Sequence, residues 1–475
     1  MKTILKNFTF NTAYQMFLII VPIVTTPYVS RVLGPKGVGV NSYTYSIAQY
    51  FCLIAMFGFS LYGSREIAYT RDNKKTRSKQ FWSIYLVQLV FVLLTSLFYA
   101  ILVINSDDFK IPLLIQGISV LACGFDVSWY FFGLEKFSVT VSRNFLVKMA
   151  SIAAIFIFVK TRNDLNLYIL INVLSSLLGN LALLPFLRKS VAIVRVEIAD
   201  LWKSFKESSI LFIPQLAVSI YVILNKTVLG IVQNTTEVGF FDSSDKIVRL
   251  LLAVMTSAAT VMMPFVAHQF STGSHQIINR ITSLTIRVTL FFAVPLVAGI
   301  MIIADRFVPL FFGSAFTQVV PVMVLESPII LFVGLASVMG NQFLLPTRQS
   351  RKYTLSLVLG AVIDLIVILP LTVSFGAIGG AVSVLLAEAT VCLTQGYFVR
   401  KSVNFDVILK ESWKYLAGAA IMWVPATIIK IFIKSNMLSV VLLVGVCGLA
   451  YLATEWMLKP SILSWFVNRI STNRS

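Results

Sequence analysis

The sequence predicts an all-α integral membrane protein with about fourteen transmembrane helices. Of its 475 residues, 57% are hydrophobic and only 12% are charged, whereas soluble domains carry about 25% charged residues. Apolar segments long enough to cross a bilayer, about 20 residues each, recur along the whole chain. Basic residues collect in alternate loops between these segments, which is typical of multi-pass membrane proteins.

The predicted spans follow the apolar segments in chain order. The first begins near residue 8 and continues to Ser30, so it is longer than the apolar core of a cleavable signal peptide, about 7–15 residues. We therefore interpret it as a membrane span. The predicted spans are 8–30, 39–62, 81–104, 111–133, 139–159, 165–187, 209–232, 240–266, 283–304, 319–343, 354–374, 376–399, 413–433 and 437–457.

The Lys and Arg residues predict the orientation of the chain. With a cytoplasmic N-terminus, the inner loops are basic, whereas the outer loops are short and read NSDDFK, KTRND, SFG and KSNM. Because positive charge is retained on the cytoplasmic side, both termini are predicted to be cytoplasmic. This topology also explains the net charge of +19 without nucleic acid as a partner. The basic residues of the inner loops and the tail include Arg65, Arg71, Lys74, Lys75, Arg77, Lys79, Arg188, Lys189, Arg195, Lys203, Lys206, Arg348, Arg351, Lys352, Arg400, Lys401, Lys410, Lys414, Lys459, Arg469 and Arg474.

A short glycine-containing motif, interpreted as a hairpin turn between spans, repeats at an interval of 200 residues, and a related glycine-rich turn is predicted at 376–380 between the eleventh and twelfth spans. Residues 38–42 read VGVNS after the first span, and residues 238–242 read VGFFD after the seventh. An even number of spans separates the copies, which predicts two parallel, pseudo-symmetric six-helix lobes around a central cavity near the midplane of the membrane. The predicted lobes are residues 1–190 and 191–402, followed by two extra C-terminal helices and a cytoplasmic tail over 403–475.

Ionisable residues interrupt the seventh and eighth spans. Lys226 lies well inside the seventh, and Asp242, Asp245, Lys246 and Arg249 open the eighth at i, i+3, i+4 and i+7, so they share one face of a helix. Two interpretations stay open. The stripe is either a self-neutralised surface near the outer interface or a network that lines the cavity and changes its pairing.

Further charges lie within other spans, where each is expected to face protein or water. Lys148 is interpreted either as a contact for an anionic substrate or as part of a structural salt bridge. Asp364 and Glu388 are interpreted as groups that bind a coupling ion or as polar packing residues. The pair Arg65 and Glu66, at the cytoplasmic end of the second span, is either structural or part of a gate.

A cavity with a basic lining would suit an amphipathic anion such as a diphosphate head group. Amide and aromatic side chains, among them Tyr43 and Trp129, are candidates for binding sugars, although aromatic residues also pack or form interface belts. The predicted substrate-binding residues are Lys148, Lys226, Arg249, Asn41, Asn225 and Arg31. The predicted gating or coupling residues are Asp242, Asp245, Lys246, Asp126, Asp364, Glu388, Arg65 and Glu66.

The sequence contains no signature of catalysis or of a cofactor. It has no Walker A loop, no HExxH and no nucleophile–base set, so it is not expected to hydrolyse nucleotide. The four cysteines lie inside apolar segments without metal-ligand or disulfide spacing, as small buried hydrophobic residues do. Neither a metal nor a catalytic residue is predicted.

Several motifs, in order along nearly the whole chain, resemble those of the Wzx-type flippases. These belong to the multidrug/oligosaccharidyl-lipid/polysaccharide (MOP) exporter superfamily. The motifs are PYVSRVLG at 27–34, GSREIA at 63–68, DVSW at 126–129 with GLEKF at 133–137, FDSSDK at 241–246, and NQFLLP at 341–346 followed by Gly360 and Ala361.

The resemblance implies a two-lobed bundle that works by alternating access. It implies export of undecaprenyl-diphosphate-linked oligosaccharide repeat units across the bacterial cytoplasmic membrane for capsule, exopolysaccharide or O-antigen synthesis. A proton or sodium ion is the implied coupling ion, and polysaccharide polymerase and glycosyltransferases are the implied partners. Asp364 stands where many relatives are expected to carry asparagine, so its role as a proton carrier stays open.

Three other functions were weighed against this one. A cation-coupled multidrug exporter of the same superfamily would have an acidic rather than a basic cavity lining. A membrane scaffold for polysaccharide enzymes would use the basic cytoplasmic loops. A glycan polymerase would carry a large external loop, which this sequence lacks.

Overall fold

The computed structural model describes residues 2–403 and 405–460, some of them by their backbone alone. Over that part of the chain all regular structure is helical, with no strand. The end of the predicted tail, residues 461–475 with Arg469 and Arg474, lies outside the described residues. Contacts divide the chain into two compact units, Met1–Gly239 and Phe240–Ser475.

The first unit is built from the helices that carry the first seven predicted spans. They are α1 (Lys2–Met56), α2 (Phe59–Thr70), α3 (Lys74–Ile104), α4 (Lys110–Ala122), α5 (Ser128–Gly133), α6 (Phe137–Phe158), α7 (Leu165–Leu181), α8 (Leu184–Ser190) and α9 (Ile198–Val232).

The second unit begins within the second turn of α10. Its helices are α10 (Thr235–Ser271), α11 (His275–Phe311), α12 (Val319–Glu326), α13 (Ile329–Ser337), α14 (Ser350–Val399), α15 (Phe405–Ile421), α16 (Trp423–Phe432) and α17 (Asn436–Leu458), with a π-helix over Val338–Leu344.

Two glycines divide the longest helical runs. The break in α14 lies at the predicted turn 376–380, whereas the turns predicted at 38–42 and 238–242 are wrong, because both stretches are helical, in α1 and in α10. Gly34 has φ 70° and ψ 176° within α1, and Gly376 has φ 56° and ψ −131° within α14. Positive φ is accessible to glycine at little cost, and Pro35 then begins the second half of α1 with a suitable fixed φ. Each run therefore consists of two helices joined at a glycine.

The protein is a multi-pass membrane protein. Within the described residues, ten helical segments are long and apolar enough to cross a membrane by length and composition. Two of these segments, Ile20–Thr70 and Ser350–Val399, each cover two predicted spans. The count of fourteen spans and the arrangement in two six-helix lobes stay predictions.

Within the first unit, residues 35–39 of α1 are in backbone contact with residues 235–239 at the start of α10. A Cβ atom on Gly39 would lie 1.5 Å from the Thr235 carbonyl oxygen and 2.9 Å from the Gly239 nitrogen. A Cβ atom on Gly239 would lie 2.1 Å from the Pro35 carbonyl oxygen and 3.2 Å from the Gly39 nitrogen. The contact is reciprocal. Gly39 meets Thr235 and Gly239 meets Pro35, and residues 35 and 39 correspond to residues 235 and 239 at the 200-residue interval of the motif.

Candidate functional site

A polar cavity of about 390 Å³ lies within the first unit, between α5, α6 and α7. Nine of its twelve lining side chains are polar or charged. They are Asp126, Ser128, Arg143, Asn144, Lys148, Asn172, Ser175, Ser176 and Asn180, and the others are Phe132, Val147 and Gly179. The structure thus brings Lys148 and Asp126, two of the predicted site residues, into one site.

The charges of this polar cavity are two cations and one carboxylate. The Asp126 Oδ1 atom accepts hydrogen bonds from the Ser128 nitrogen at 3.0 Å and the Ser128 hydroxyl at 2.5 Å, so this carboxylate is engaged in starting α5. Arg143 donates a hydrogen bond to the Asn144 side chain. Lys148 is partly buried, and among the described residues no acid forms an ion pair with it. The lining is therefore basic.

The sequence analysis missed Arg143 and the amides and hydroxyls of the polar cavity. On α7 the residues Asn172, Ser175, Ser176, Gly179 and Asn180 fall at i, i+3, i+4, i+7 and i+8, the spacing of one helix face. This stripe of small polar residues in an apolar span was a usable signal. A search for charge within the spans does not detect it, because all five residues are uncharged.

The cavity lining can bind an anionic sugar derivative. A guanidinium and an ammonium group are strong partners for phosphate oxygens. Asparagine side chains each present two donors and one acceptor, and serine hydroxyls serve as both, which suits the hydroxyl groups of a sugar. The described residues include no group of three or more His, Cys, Asp or Glu suited to hold a metal ion.

A break in the fourth predicted span positions Asp126 at the polar cavity. Between α4 and α5 the backbone leaves the α-helix, which frees polar groups that must be satisfied inside a membrane protein. The Gln88 side chain of α3 donates to the carbonyl oxygens of Cys123 at 2.8 Å and Asp126 at 3.0 Å. It also accepts from Trp129 Nε1 at 3.1 Å. Trp129 is fully buried, so it packs in the core instead of facing a ligand.

Replacing Gln88 with leucine is expected to destabilise the protein by about 3 kcal/mol, because each buried polar group left unsatisfied costs about 1–3 kcal/mol. Thermal unfolding of the purified protein measures the effect. Gln80→Leu is the matched control, since Gln80 makes a single 3.3 Å hydrogen bond to the Tyr62 hydroxyl. Equal loss of stability in both variants would contradict this role of Gln88.

The charged stripe of α10 forms both of its i,i+4 ion pairs. Lys246 Nζ lies 2.5 Å from Asp242 Oδ2, and Arg249 Nε lies 2.6 Å from Asp245 Oδ1. The two carboxylates are buried, while the two cations are partly exposed. Ser244 also donates a hydrogen bond to the buried Glu326 of α12. The sequence analysis missed Glu326, a lone acid within an apolar span.

The two halves of α14 are joined by a predicted coupling residue. The Ser383 hydroxyl donates to Asp364 Oδ1 at 2.5 Å, and both side chains are fully buried. Glu388, five residues beyond Ser383, is only partly buried. The hydrogen bond therefore joins the helix before Gly376 to the helix after it. The role of Asp364 in coupling stays a prediction.

The remaining predicted site residues of the first unit are dispersed over α1, α2 and α9. Arg65 contacts Glu66 at 3.0 Å and Glu207 of α9 at 3.6 Å. Asn41 accepts a 3.5 Å hydrogen bond from Gln116 of α4. The others lie on α1 and α9: Arg31 is exposed, Asn225 is buried and Lys226 is partly buried.

Each unit contains one further cavity. A cavity of about 690 Å³ in the first unit is bounded by α1, α3, α4 and α9, with Tyr43, Tyr50, Asp108 and Thr227 in its lining. In the second unit an apolar cavity of about 650 Å³ lies between α10, α11, α17 and Met422, which joins α15 to α16. Its lining is almost entirely hydrocarbon and includes Val254, Phe292, Leu443 and Val444.

Comparison with known proteins places this architecture in a family. Residues 4–270, more than half of the chain, match the family described as "Polysaccharide biosynthesis protein". The chain belongs to this family. It is 23% identical over 407 residues to a putative O-antigen transporter of Escherichia coli strain K12, covering 84% of this chain and 97% of the relative. It is also 23% identical over 192 residues to the lipid II flippase MurJ of Bacillus subtilis, covering 39% of this chain and 35% of the relative.

Solved structures share the fold of this family member. The inward closed conformation of the lipid II flippase MurJ matches with a TM-score of 0.76 and 16% identity, covering 96% of this chain and 100% of that one. An inward-facing multidrug resistance MATE transporter of the MOP superfamily matches with a TM-score of 0.60 and 12% identity, covering 80% of this chain and 97% of that one. The resemblance to the Wzx-type flippases is therefore confirmed. The relatives and solved structures named here are transporters or flippases.

Proposed function

We propose that the protein flips lipid-linked oligosaccharides, specifically undecaprenyl-diphosphate-linked repeat units, across the bacterial cytoplasmic membrane. The polar cavity of the first unit carries this proposal, because Arg143 and Lys148 face a single carboxylate there among amides and hydroxyls. A diphosphate requires cations, and a glycan requires neutral donors and acceptors. The named functions of the relatives support the same substrate class.

The cations are assigned to the diphosphate and the α7 stripe to the sugars. Lys148 and Arg143, both on α6, line the same cavity, so both can reach one head group. Asn172 and Asn180 lie two turns apart on α7, about 12 Å along the helix axis, and can contact successive sugar units. Lys226 and Arg249 are proposed to contact the head group at another stage of transport.

The apolar cavity of the second unit is proposed to receive part of the polyprenyl chain. A hydrocarbon chain can leave the lipid and lie against this lining without leaving any polar group unsatisfied. The polar head group of the same molecule would then occupy a separate, polar site. A lining such as that formed by Val254, Phe292 and Leu443 offers no polar partner to a sugar.

Transport is proposed to proceed by alternating access of the lobes 1–190 and 191–402 in a bundle of fourteen spans with both termini in the cytoplasm. The reciprocal contact of Gly39 and Gly239 supports the internal repeat, and the fold shared with MurJ and MATE transporters supports the mechanism. Asp242, Asp245 and Lys246 change partners during the cycle in this proposal.

The energy source and the pathway belong to the same proposal. A proton or sodium gradient drives transport through carboxylates that are buried or partly buried within the spans. The exported units supply a polymerase in capsule, exopolysaccharide or O-antigen synthesis, and glycosyltransferases deliver the substrate. The proposed coupling residues are Asp126, Asp364 and Glu388.

Binding to the purified protein tests the substrate class. A short-chain polyprenyl-diphosphate oligosaccharide is expected to bind, whereas a lipid of the same chain with a neutral head group is expected to bind at least tenfold more weakly, a difference of about 1.4 kcal/mol. A lipophilic cation should not compete, since the lining is basic. Tight binding of the cation with no binding of the diphosphate lipid would favour the multidrug exporter instead.

A further inference from the structure

A buried carboxyl group lies near one end of the second unit, outside the sites described above. Glu455, in the last turn of α17, has a relative exposure of 0%. Among the described residues, neither of its carboxylate oxygens has a hydrogen-bond partner. Burial without donors strongly disfavours the ionised form of a carboxyl group. The sequence analysis did not consider this residue.

The immediate surroundings of Glu455 are two aromatic rings and a glycine. A Cβ atom on Gly418 of α15 would lie 2.7 Å from Glu455 Oε1 and 2.9 Å from Tyr451 Cδ2, so α15 and α17 pack tightly over the carboxyl. The Tyr451 hydroxyl donates instead to the Phe291 carbonyl oxygen at 2.8 Å. Tyr415 is fully buried, and its hydroxyl has no hydrogen-bond partner in the described part of the chain.

The charged groups on each helix packed against α17 have other partners. On α11, Arg287 Nη1 lies 3.7 Å from Glu411 Oε2 of α15. Lys414 of α15 donates to the Lys459 carbonyl oxygen at 3.3 Å. On α16, Lys430 Nζ lies 2.9 Å from Asp305 Oδ1. In the described part of the chain none of these cations forms a hydrogen bond or an ion pair with Glu455. The charge of the nearby Lys414 favours the ionised form, but burial of the carboxyl group has the larger effect.

We propose that Glu455 is a proton-binding site of the second unit. Its carboxyl group holds a proton while α15 and α17 pack as in this structure, and it transfers that proton to water when these helices separate. The proposal goes beyond flipping, because it assigns proton binding to α15 and α17, which carry the two predicted spans added to the lobes. It does not depend on the identity of the lipid-linked substrate.

Infrared spectroscopy of the purified full chain tests this proton directly. An exposed glutamic acid loses its proton above about pH 4.3, so at mildly acidic pH above that value we expect a carbonyl stretch of a protonated acid that disappears in Glu455→Gln. The control Glu197→Gln removes a carboxylate that is 78% exposed and should leave this band unchanged. Identical spectra of the wild type and Glu455→Gln at that pH would overturn the proposal.

The pH dependence of thermal stability gives a second readout. In this proposal the folded chain keeps, at mildly acidic pH, a proton that the unfolded chain loses above about pH 4.3, so unfolding releases it. The melting temperature of the wild type is therefore expected to fall as pH rises, relative to that of Glu455→Gln. Parallel pH profiles of the two proteins would overturn the proposal even if their spectra were difficult to separate.

Discussion

Replacement of Lys148 with alanine is expected to weaken binding of a polyprenyl-diphosphate oligosaccharide about ten- to hundredfold. Hydrogen bonds to charged groups contribute about 1.5–3 kcal/mol, and 1.4 kcal/mol corresponds to about a factor of ten. Arg143→Ala is expected to have a similar effect, because the guanidinium lines the same cavity. The two losses should not be additive if both cations contact one diphosphate.

The design of this experiment separates charge from folding. Lys148→Arg retains the cation and is expected to recover much of the affinity, whereas Lys148→Met retains the length without the charge and is not. Lys136→Ala is the matched control, since Lys136 is an exposed lysine at the start of the same helix. If the Lys148→Ala and Arg143→Ala proteins keep wild-type melting temperatures and bind the lipid as the wild type does, the head group does not bind in this cavity.

The variant Gly39→Ala is expected to lower the melting temperature and to abolish flipping. Its Cβ atom would lie 1.5 Å from the Thr235 carbonyl oxygen. The obstacle is backbone and cannot rotate away, so α1 and α10 must separate. Overpacking of well-packed contacts costs about 1–3 kcal/mol, and this contact is closer than most. Gly239→Ala should behave in the same way, because its Cβ atom would lie 2.1 Å from the Pro35 carbonyl oxygen.

A matched glycine provides the control for this pair. Gly445 lies inside α17 with nothing within 4 Å of its Cβ position, so Gly445→Ala is expected to be neutral or to stabilise by about 0.5–1 kcal/mol. Melting temperatures and flipping rates of the three variants are compared in the same lipid. If Gly39→Ala is as stable and as active as Gly445→Ala, the close crossing of α1 and α10 is not required.

The positions of the membrane helices were predictable because apolar length is a strong signal. The break at Gly376 lies in a turn predicted from its glycines, which adopt positive φ at little cost. The break in α1 lies at Gly34, before the turn predicted at 38–42, because the glycine of that motif packs against α10 within a helix. The helix ends were less predictable. Helix α9 begins at Ile198 and α11 at His275, well before the apolar segments predicted at 209 and 283. Polar residues continue a helix beyond the hydrocarbon region, and hydropathy does not detect that part.

Two charged residues of the site were predicted from the sequence, but their neighbours in the cavity were not. Lys148 and Asp126 were identified as ionisable residues in apolar spans, and the structure places both in one cavity. Arg143 was not predicted, because it lies near the end of its predicted span, where a charged residue is common and does not indicate a site. Glu326 and Glu455 are single acids whose burial depends on helices distant in sequence. Only the folded chain reveals which neighbours surround them.

Flipping by the purified protein in liposomes tests the central proposal most directly. Lipid-linked oligosaccharide is placed in the inner leaflet, and its exposure to an external lectin or glycosidase is followed with and without proton, sodium and electrical gradients. Protein-dependent exposure that is lost in Lys148→Ala and retained in Lys136→Ala is the expected result. Exposure at the protein-free rate with a folded wild-type protein and diphosphate-linked substrates from several pathways would contradict the assignment as a flippase.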